Sequence, residues 1–213
     1  MFRSLVNAAL VISLVLIGQA SKADMHATPE FVAGKTRPRT IAFLPPHASV
    51  AERRMIRLEQ HADEGAELAD CVAVSLKSAF AAQGYEVTVL TSDDVNASPE
   101  LQELVLEADR RYAELLNELR LKLPKQIAAH RYVAGDEMRL LAAKLGVDAI
   151  GFADLQIVSS FMPGGGTSSM LSVSVIDGGT ATIEAYFVPP LLKRGGFAGT
   201  QPSRPTPRAR SAK

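Results

Sequence analysis

The side chains able to do covalent or acid–base chemistry are few. The chain holds one cysteine, Cys71, and four histidines, His26, His47, His61 and His130. A thiolate nucleophile needs a basic neighbour that lowers its pKa. Cys71 instead has Leu68 one helical turn before it and Val72 beside it, which makes it an inert thiol on an apolar helix face. Zinc held on a helix needs two ligands one turn apart, as in His-x-x-x-His, and no two histidines stand at that spacing. His61 with Asp63 and Glu64 comes nearest to a metal cluster, but consecutive helical residues point in different directions, so these three read as a solvated face. No Gly-x-Ser-x-Gly elbow presents a serine. The run Pro163-Gly164-Gly165-Gly166 lacks the Gly-Lys-Ser/Thr of a phosphate loop and leads into a strand, which fits a hairpin tip. The acidic pairs Asp93-Asp94 and Asp136-Glu137 fall at turn or helix-start positions, where carboxylates serve local structure. Asn96-Ala97-Ser98 matches a glycosylation sequon, three residues with no supporting context. No cofactor, no metal and no catalytic set is expected, and the chain reads as non-enzymatic.

The elements around these residues alternate in type. Thr40-Ile41-Ala42-Phe43-Leu44 is a short apolar run stopped by Pro45-Pro46, a buried strand. Residues 49–83 contain no proline, and Leu68, Cys71, Val72, Leu76, Ala79 and Phe80 recur at helical spacing. That segment is expected to be helical, most securely over 65–83, with Gly84 as its left-handed stop. Tyr85-Glu86-Val87-Thr88-Val89-Leu90 alternates as a strand does, and turn residues follow at 91–94. Strand, helix, strand predicts a βαβ unit with two parallel strands.

Ser98-Pro99-Glu100 opens a second helix with a capping hydroxyl, a proline at the first position and an acid in the first turn. Along it Leu101, Val105, Ala108, Tyr112, Leu115 and Leu119 are spaced 4-3-4-3-4, nearly three heptads of apolar stripe. Two uses are open to such a stripe: a docking face for a partner or a second copy, or packing inside its own domain. Pro124 interrupts the pattern, and a third helix runs from Gly135-Asp136 through Met138, Leu140, Leu141, Ala143 and Leu145 to Gly146. Strands over 147–159, 170–176 and 182–188, separated by glycine-rich turns, then make an antiparallel meander. The prediction is an α/β domain with a mixed sheet of about five strands: a βαβ unit, a long helix, a third helix and the meander. There is no internal repeat and no second domain.

The ends carry an address. Met1-Phe2-Arg3, an apolar run over 5–18 and the small residues Ala20, Ser21 and Ala23 have the order of a secretory leader. A helix over that run spans about 21 Å, short of the roughly 30 Å hydrocarbon core, which favours export over anchoring. The expected mature start is Asp24, with Gly18-Gln19-Ala20 a second cleavage site. No cysteine stands there to take a lipid.

In all, 23 basic and 23 acidic side chains balance, which speaks against a specific nucleic-acid partner. The balance is uneven along the chain. Without residues 1–23 the net charge is −2, and six bases, Lys193, Arg194, Arg204, Arg208, Arg210 and Lys213, with no acid after residue 192, leave −8 on residues 24–192. The expected division is a signal peptide 1–23, a lead-in 24–39, one domain 40–192 and a disordered basic tail 193–213.

Three phrases carry a family likeness: Ile41-Ala42-Phe43-Leu44-Pro45, Gln83-Gly84-Tyr85-Glu86-Val87 and Leu145-Gly146-Val147-Asp148-Ala149-Ile150. With the order of elements over roughly 40–190, this resembles the small periplasmic α/β domains of the curli-secretion lipoprotein, the penicillin-binding-protein activator lipoproteins and the N-terminal domain of the Tol-system translocation protein. The resemblance implies a non-catalytic accessory domain that binds other proteins of the cell envelope. The lipidated cysteine of those lipoproteins has no counterpart here, so their anchoring is not carried over.

The expectation is therefore an exported protein-binding domain, periplasmic or secreted, that assists assembly or regulation of an envelope complex. Its contacts would use an open sheet edge or the stripe Leu101, Val105, Tyr112, Leu115 and Leu119, and homo-oligomers are open to it. Two alternatives stand beside it. One is a hydrolase or small-ligand protein with a pocket between residues 91–97 and 161–169. The other is a binder of anionic surfaces, in peripheral membrane contact through the six basic tail residues.

Overall fold

Apolar spacing along this chain produces a sheet that is buried between helices at one end. The computed structural model describes residues 24–36, 38–54, 57–121, 126–127, 129, 132–160 and 166–188. Among them run β1 (Asp24–Ala27), α1 (Pro29–Val32), β2 (Thr40–Phe43), β3 (His47–Arg54), β4 (Arg57–Gln60), α2 (Ala62–Ala82) and β5 (Glu86–Val89). There follow α3 (Ser92–Asn96), α4 (Pro99–Leu121), α5 (Asp136–Leu145), β6 (Ala149–Ser160), β7 (Thr167–Asp177) and β8 (Ile183–Val188). The leader and the basic tail lie outside the described residues.

The strands form one mixed sheet in the order β1-β8-β7-β6-β2-β5, with β3 also beside β6 and β4 outside β3. The α/β expectation holds in its main parts. β2 and β5 are parallel from Thr40↔Glu86 to Phe43↔Val89, and β6, β7 and β8 are an antiparallel meander. Pro99 opens α4 and Gly146 ends α5 where the sequence places them, Gly146 at φ 67°, a left-handed conformation that glycine adopts without a Cβ penalty, whereas residues 91–94, read as a turn, start the short helix α3 with Thr91 as its cap.

The sheet has eight strands rather than about five, and the three extra ones correct the sequence reading. Within 49–60, expected to be helical, residues 49–54 lie in β3 and residues 57–60 are β4. Their composition favours a helix, but they have no apolar stripe to bury along one, and seven residues of β3 instead pair in parallel with β6 from His47↔Asp154 to Arg53↔Ser160. A tertiary ladder outweighs local propensity here. Pro45-Pro46 interrupts the chain for two residues without ending its path along β6, because β2 pairs with the start of that strand and β3 with the rest. The lead-in, which has no periodicity, contains β1, paired with β8 from Asp24↔Val188 to Ala27↔Ala185. Glu184, buried at an irregularity of β8, accepts hydrogen bonds from Thr28 Oγ1 at 2.5 Å and Thr36 Oγ1 at 3.3 Å, so residues 24–36 belong to the domain.

Each face of the sheet carries its own core. On one, Leu68, Val72 and Leu76 of α2 cover Ile41, Phe43, Leu155, Val173 and Val175, and Phe43 meets Phe80 edge to face at 5.1 Å. Gly65 lets α2 press against β3: a Cβ there would stand 2.7 Å from the Ala48 carbonyl oxygen. On the other face, α4 and α5 cover Ala42, Ile150, Phe152, Ile176 and Tyr186. Met138, Leu141 and Ala142 are the buried side of α5, while Leu140, expected in its stripe, is exposed.

Candidate functional site

The long-helix stripe is spent inside its own domain. Val105, Tyr112, Leu115 and Leu119 are at most 5% exposed, Ala108 is fully buried, and Leu101 packs against the same core half-buried. The Tyr112 ring stacks on Phe152 with centroids 4.1 Å apart, and its hydroxyl lies 3.0 Å from Ser174 Oγ on β7. The second of the two uses open to a 4-3-4-3-4 stripe is therefore the realised one. As a free docking face, the five residues Leu101, Val105, Tyr112, Leu115 and Leu119 are corrected to core, because α4 satisfies its apolar face against the sheet beneath it.

Beside that core lies a polar row absent from the sequence reading. His47 opens β3, and its register partner on β6 is Asp154, whose own partner on β7 is Ser172. Register partners point to one face of the sheet, and on that face Asp109 of α4 comes within 3.4 Å of His47 Nε2. This contact is the largest cause raising the His47 pKa above its ordinary 6.5; burial opposes it, and the negative charges of Asp109 and Asp154 add to it. Ser172 is fully buried, and its hydroxyl makes no hydrogen bond among the described residues.

The row does not form a nucleophilic relay. A Ser–His–Asp device needs the imidazole between hydroxyl and carboxylate. Here Asp154 stands in the middle, and His47 and Ser172 are two strands apart, about 10 Å. What the row can do is tie β3 to α4 and hold a proton on His47.

The remaining candidates are placed as follows. Cys71 is half-buried on α2, and its carbonyl accepts from Ser75 Oγ at 2.8 Å. His61 lies 3.8 Å from Glu52 and 4.0 Å from Glu64, not beside Asp63, and no three His, Cys, Asp or Glu side chains form a metal-holding group among the described residues. Asp94 completes a capping box with Thr91, whose side-chain and backbone donors hold its pKa below the usual carboxylate value. Residues 91–97 are thus occupied by α3, with Val95 in the core. Residues 161–165 of the proposed second pocket wall, His130, and the tail residues Lys193, Arg194, Arg204, Arg208, Arg210 and Lys213 all lie outside the described residues. No described helix is long and apolar enough to cross a membrane.

The open margins of the sheet remain. Among the described residues β1, β4 and β5 each have a strand on one side only. β5 presents two half-buried valines, whereas all four residues of β4 are exposed and Leu58 is 51% exposed. Cover thins toward this margin: β6 is buried over 149–153 and only half-buried over 156–160, where it pairs with β3, and β3 in turn carries β4. The sequence held no sign of this surface, because it depends on residues 49–54 and 57–60 being strands.

Comparison of the chain with protein-family models, with curated proteins and with solved structures finds no match in any of the three.

Proposed function

We propose that this chain is an exported, non-enzymatic protein-binding domain that assists assembly or regulation of a cell-envelope complex. The observation that carries the reading is the set of strand margins left unpaired among the described residues, above all β4, exposed along its whole length at the end of the sheet where helical cover fades. An open edge offers main-chain donors and acceptors to an incoming strand, and that pairing is a recurring mode of protein recognition. The leader pattern of residues 1–23 supports export. The likeness of Ile41-Ala42-Phe43-Leu44-Pro45 and Leu145-Gly146-Val147-Asp148-Ala149-Ile150 to periplasmic accessory domains supports the envelope as the place of action.

The test is crosslinking in intact cells through a C-terminally tagged copy, recovery from the envelope fraction and mapping of adducts by mass spectrometry. The reading expects a reproducible heterologous protein attached near residues 47–60 or at the β1 or β5 margin. Recovery of uncrosslinked chain, or of the chain attached to itself alone, contradicts the accessory role.

A further inference from the structure

The hairpin β3–β4 breaks a local rule twice. Its register sets Glu52 opposite Glu59 and Arg54 opposite Arg57. Like charges directly opposite each other destabilise an antiparallel pair. Arg54 relieves part of this by reaching Glu52 at 3.2 Å and Glu59 at 3.3 Å. Arg57, exposed on the outermost strand, makes no ion pair among the described residues. Exchanging the charges of residues 57 and 59 would place an acid opposite Arg54 and a base opposite Glu52, a better hairpin by the same rule. The natural order is therefore unfavourable inside the chain, and local conflicts of this kind concentrate at functional sites.

Between chains the same order is favourable. We infer that the β4 edge pairs antiparallel with β4 of a second copy of this chain, about a two-fold axis at Leu58. In that register Arg57 faces Glu59 of the second copy, Glu59 faces Arg57 of the second copy, and the two half-exposed Leu58 side chains meet. A shift by one residue sets Leu58 against Glu59, and a shift by two sets like charges together, so the charge order selects one register. Four residues of edge bury well under the roughly 1,000 Å² of a tight complex, and the dimer is accordingly weak and concentration-dependent. The inference rests on reading the open margins as contact surfaces and names the occupant of one of them.

Sedimentation equilibrium of the purified full chain from about 10 μM to about 1 mM tests it, with R57E, E59R and the double variant R57E/E59R compared. The wild-type mass is expected to rise toward that of a dimer. Each single variant sets like charges together at both symmetric contacts and is expected to weaken association about tenfold or more; the double variant restores it to about the wild-type level. Far-ultraviolet circular dichroism and Tm serve as the folding control: R57E is expected to match or exceed wild type because it repairs the Arg54–Arg57 pair, and E59R to stay near wild type because it repairs the Glu52–Glu59 pair while losing the Arg54–Glu59 contact. A chain that stays monomeric throughout, or a dimer indifferent to R57E, or a double variant that fails to recover, overturns the inference. A monomer that still gives a heterologous adduct in cells overturns self-association and leaves the protein-binding reading standing.

Discussion

The two halves of β6 belong to different environments. Over 149–153 the strand is buried on both faces, with α2 on one side and α4 and α5 on the other, and past Asp177 at its start its register partners are apolar or small. Over 156–160 every residue is half-buried, the strand lies between β7 and β3, and beyond β3 lies a fully exposed strand with two charged residues. One strand thus passes from a part of the sheet whose residues answer to packing into a part whose residues answer to water and to whatever approaches it. The first half fixes the fold. The second half, free of that duty, leads through β3 to the edge left unpaired among the described residues and to its unfavourable charge order.

The comparison makes its largest prediction at two leucines. Leu115 is 1% exposed on the buried side of α4 and Leu58 is 51% exposed on β4. Leu115→Ala removes fully packed atoms and is expected to cost about 2–5 kcal/mol in urea unfolding. Leu58→Ala, far from any packed layer, is expected to stay within about 0.5 kcal/mol of wild type. Comparable losses at the two sites would mean that the β4 end is as buried as the α4 face, and the contrast would fail.

A middle-sized effect is expected at Glu184, which binds the lead-in to the meander through Thr28 and Thr36. Glu184→Ala leaves the fully buried Thr28 hydroxyl without that partner and is expected to cost about 1–3 kcal/mol. Faster amide exchange over residues 24–36, with β6 protection intact, would locate the loss at the sheet's β1 margin. Uniform loosening of β6 as well would show that the lead-in carries more of the fold than its hydrogen bonds indicate.

The smallest effect is at the seam between the halves. His47 is raised above 6.5 in the folded chain, chiefly by Asp109, so its charged form is favoured by folding. Its contribution is fully present below pH 6.5 and is lost as pH rises through the raised folded value. The His47 side chain is 60% exposed, and an exposed pair of this kind is worth about 1 kcal/mol or less. Urea unfolding at about pH 5.5 and about pH 8.5 is expected to show that increment in wild type and not in His47→Gln. An equal pH dependence in both proteins would remove the tie between β3 and α4.

The parts of the fold legible in the sequence were those fixed by apolar spacing and by turn chemistry. Leu68, Val72, Leu76 and Ala79 declared α2, Ser98-Pro99-Glu100 the start of α4, Gly146 the end of α5, and the alternations in β7 and β8 the meander. What could not be read is what arises between distant segments. The β3–β4 hairpin has residues that suit a helix and becomes strand only because β6 offers it a ladder, and β1 has no pattern of its own. The polar row is equally silent, since His47, Asp109, Asp154 and Ser172 lie on four different elements and meet only through strand register and the crossing of α4. The stripe on α4 was legible as a stripe, but 4-3-4-3-4 spacing is the same whether the covering surface is its own sheet or another molecule.

The central claim, that the β4 end of the sheet rather than a helix face is the contact surface, is tested most directly by placing a photo-crosslinking residue in turn at position 58 and at position 106 in intact cells. Leu58 on β4 is 51% exposed and Leu106 on α4 is 67% exposed, so exposure alone would favour the helix. The account predicts adducts from position 58 and none from position 106. Adducts from position 106 with none from position 58 would contradict it.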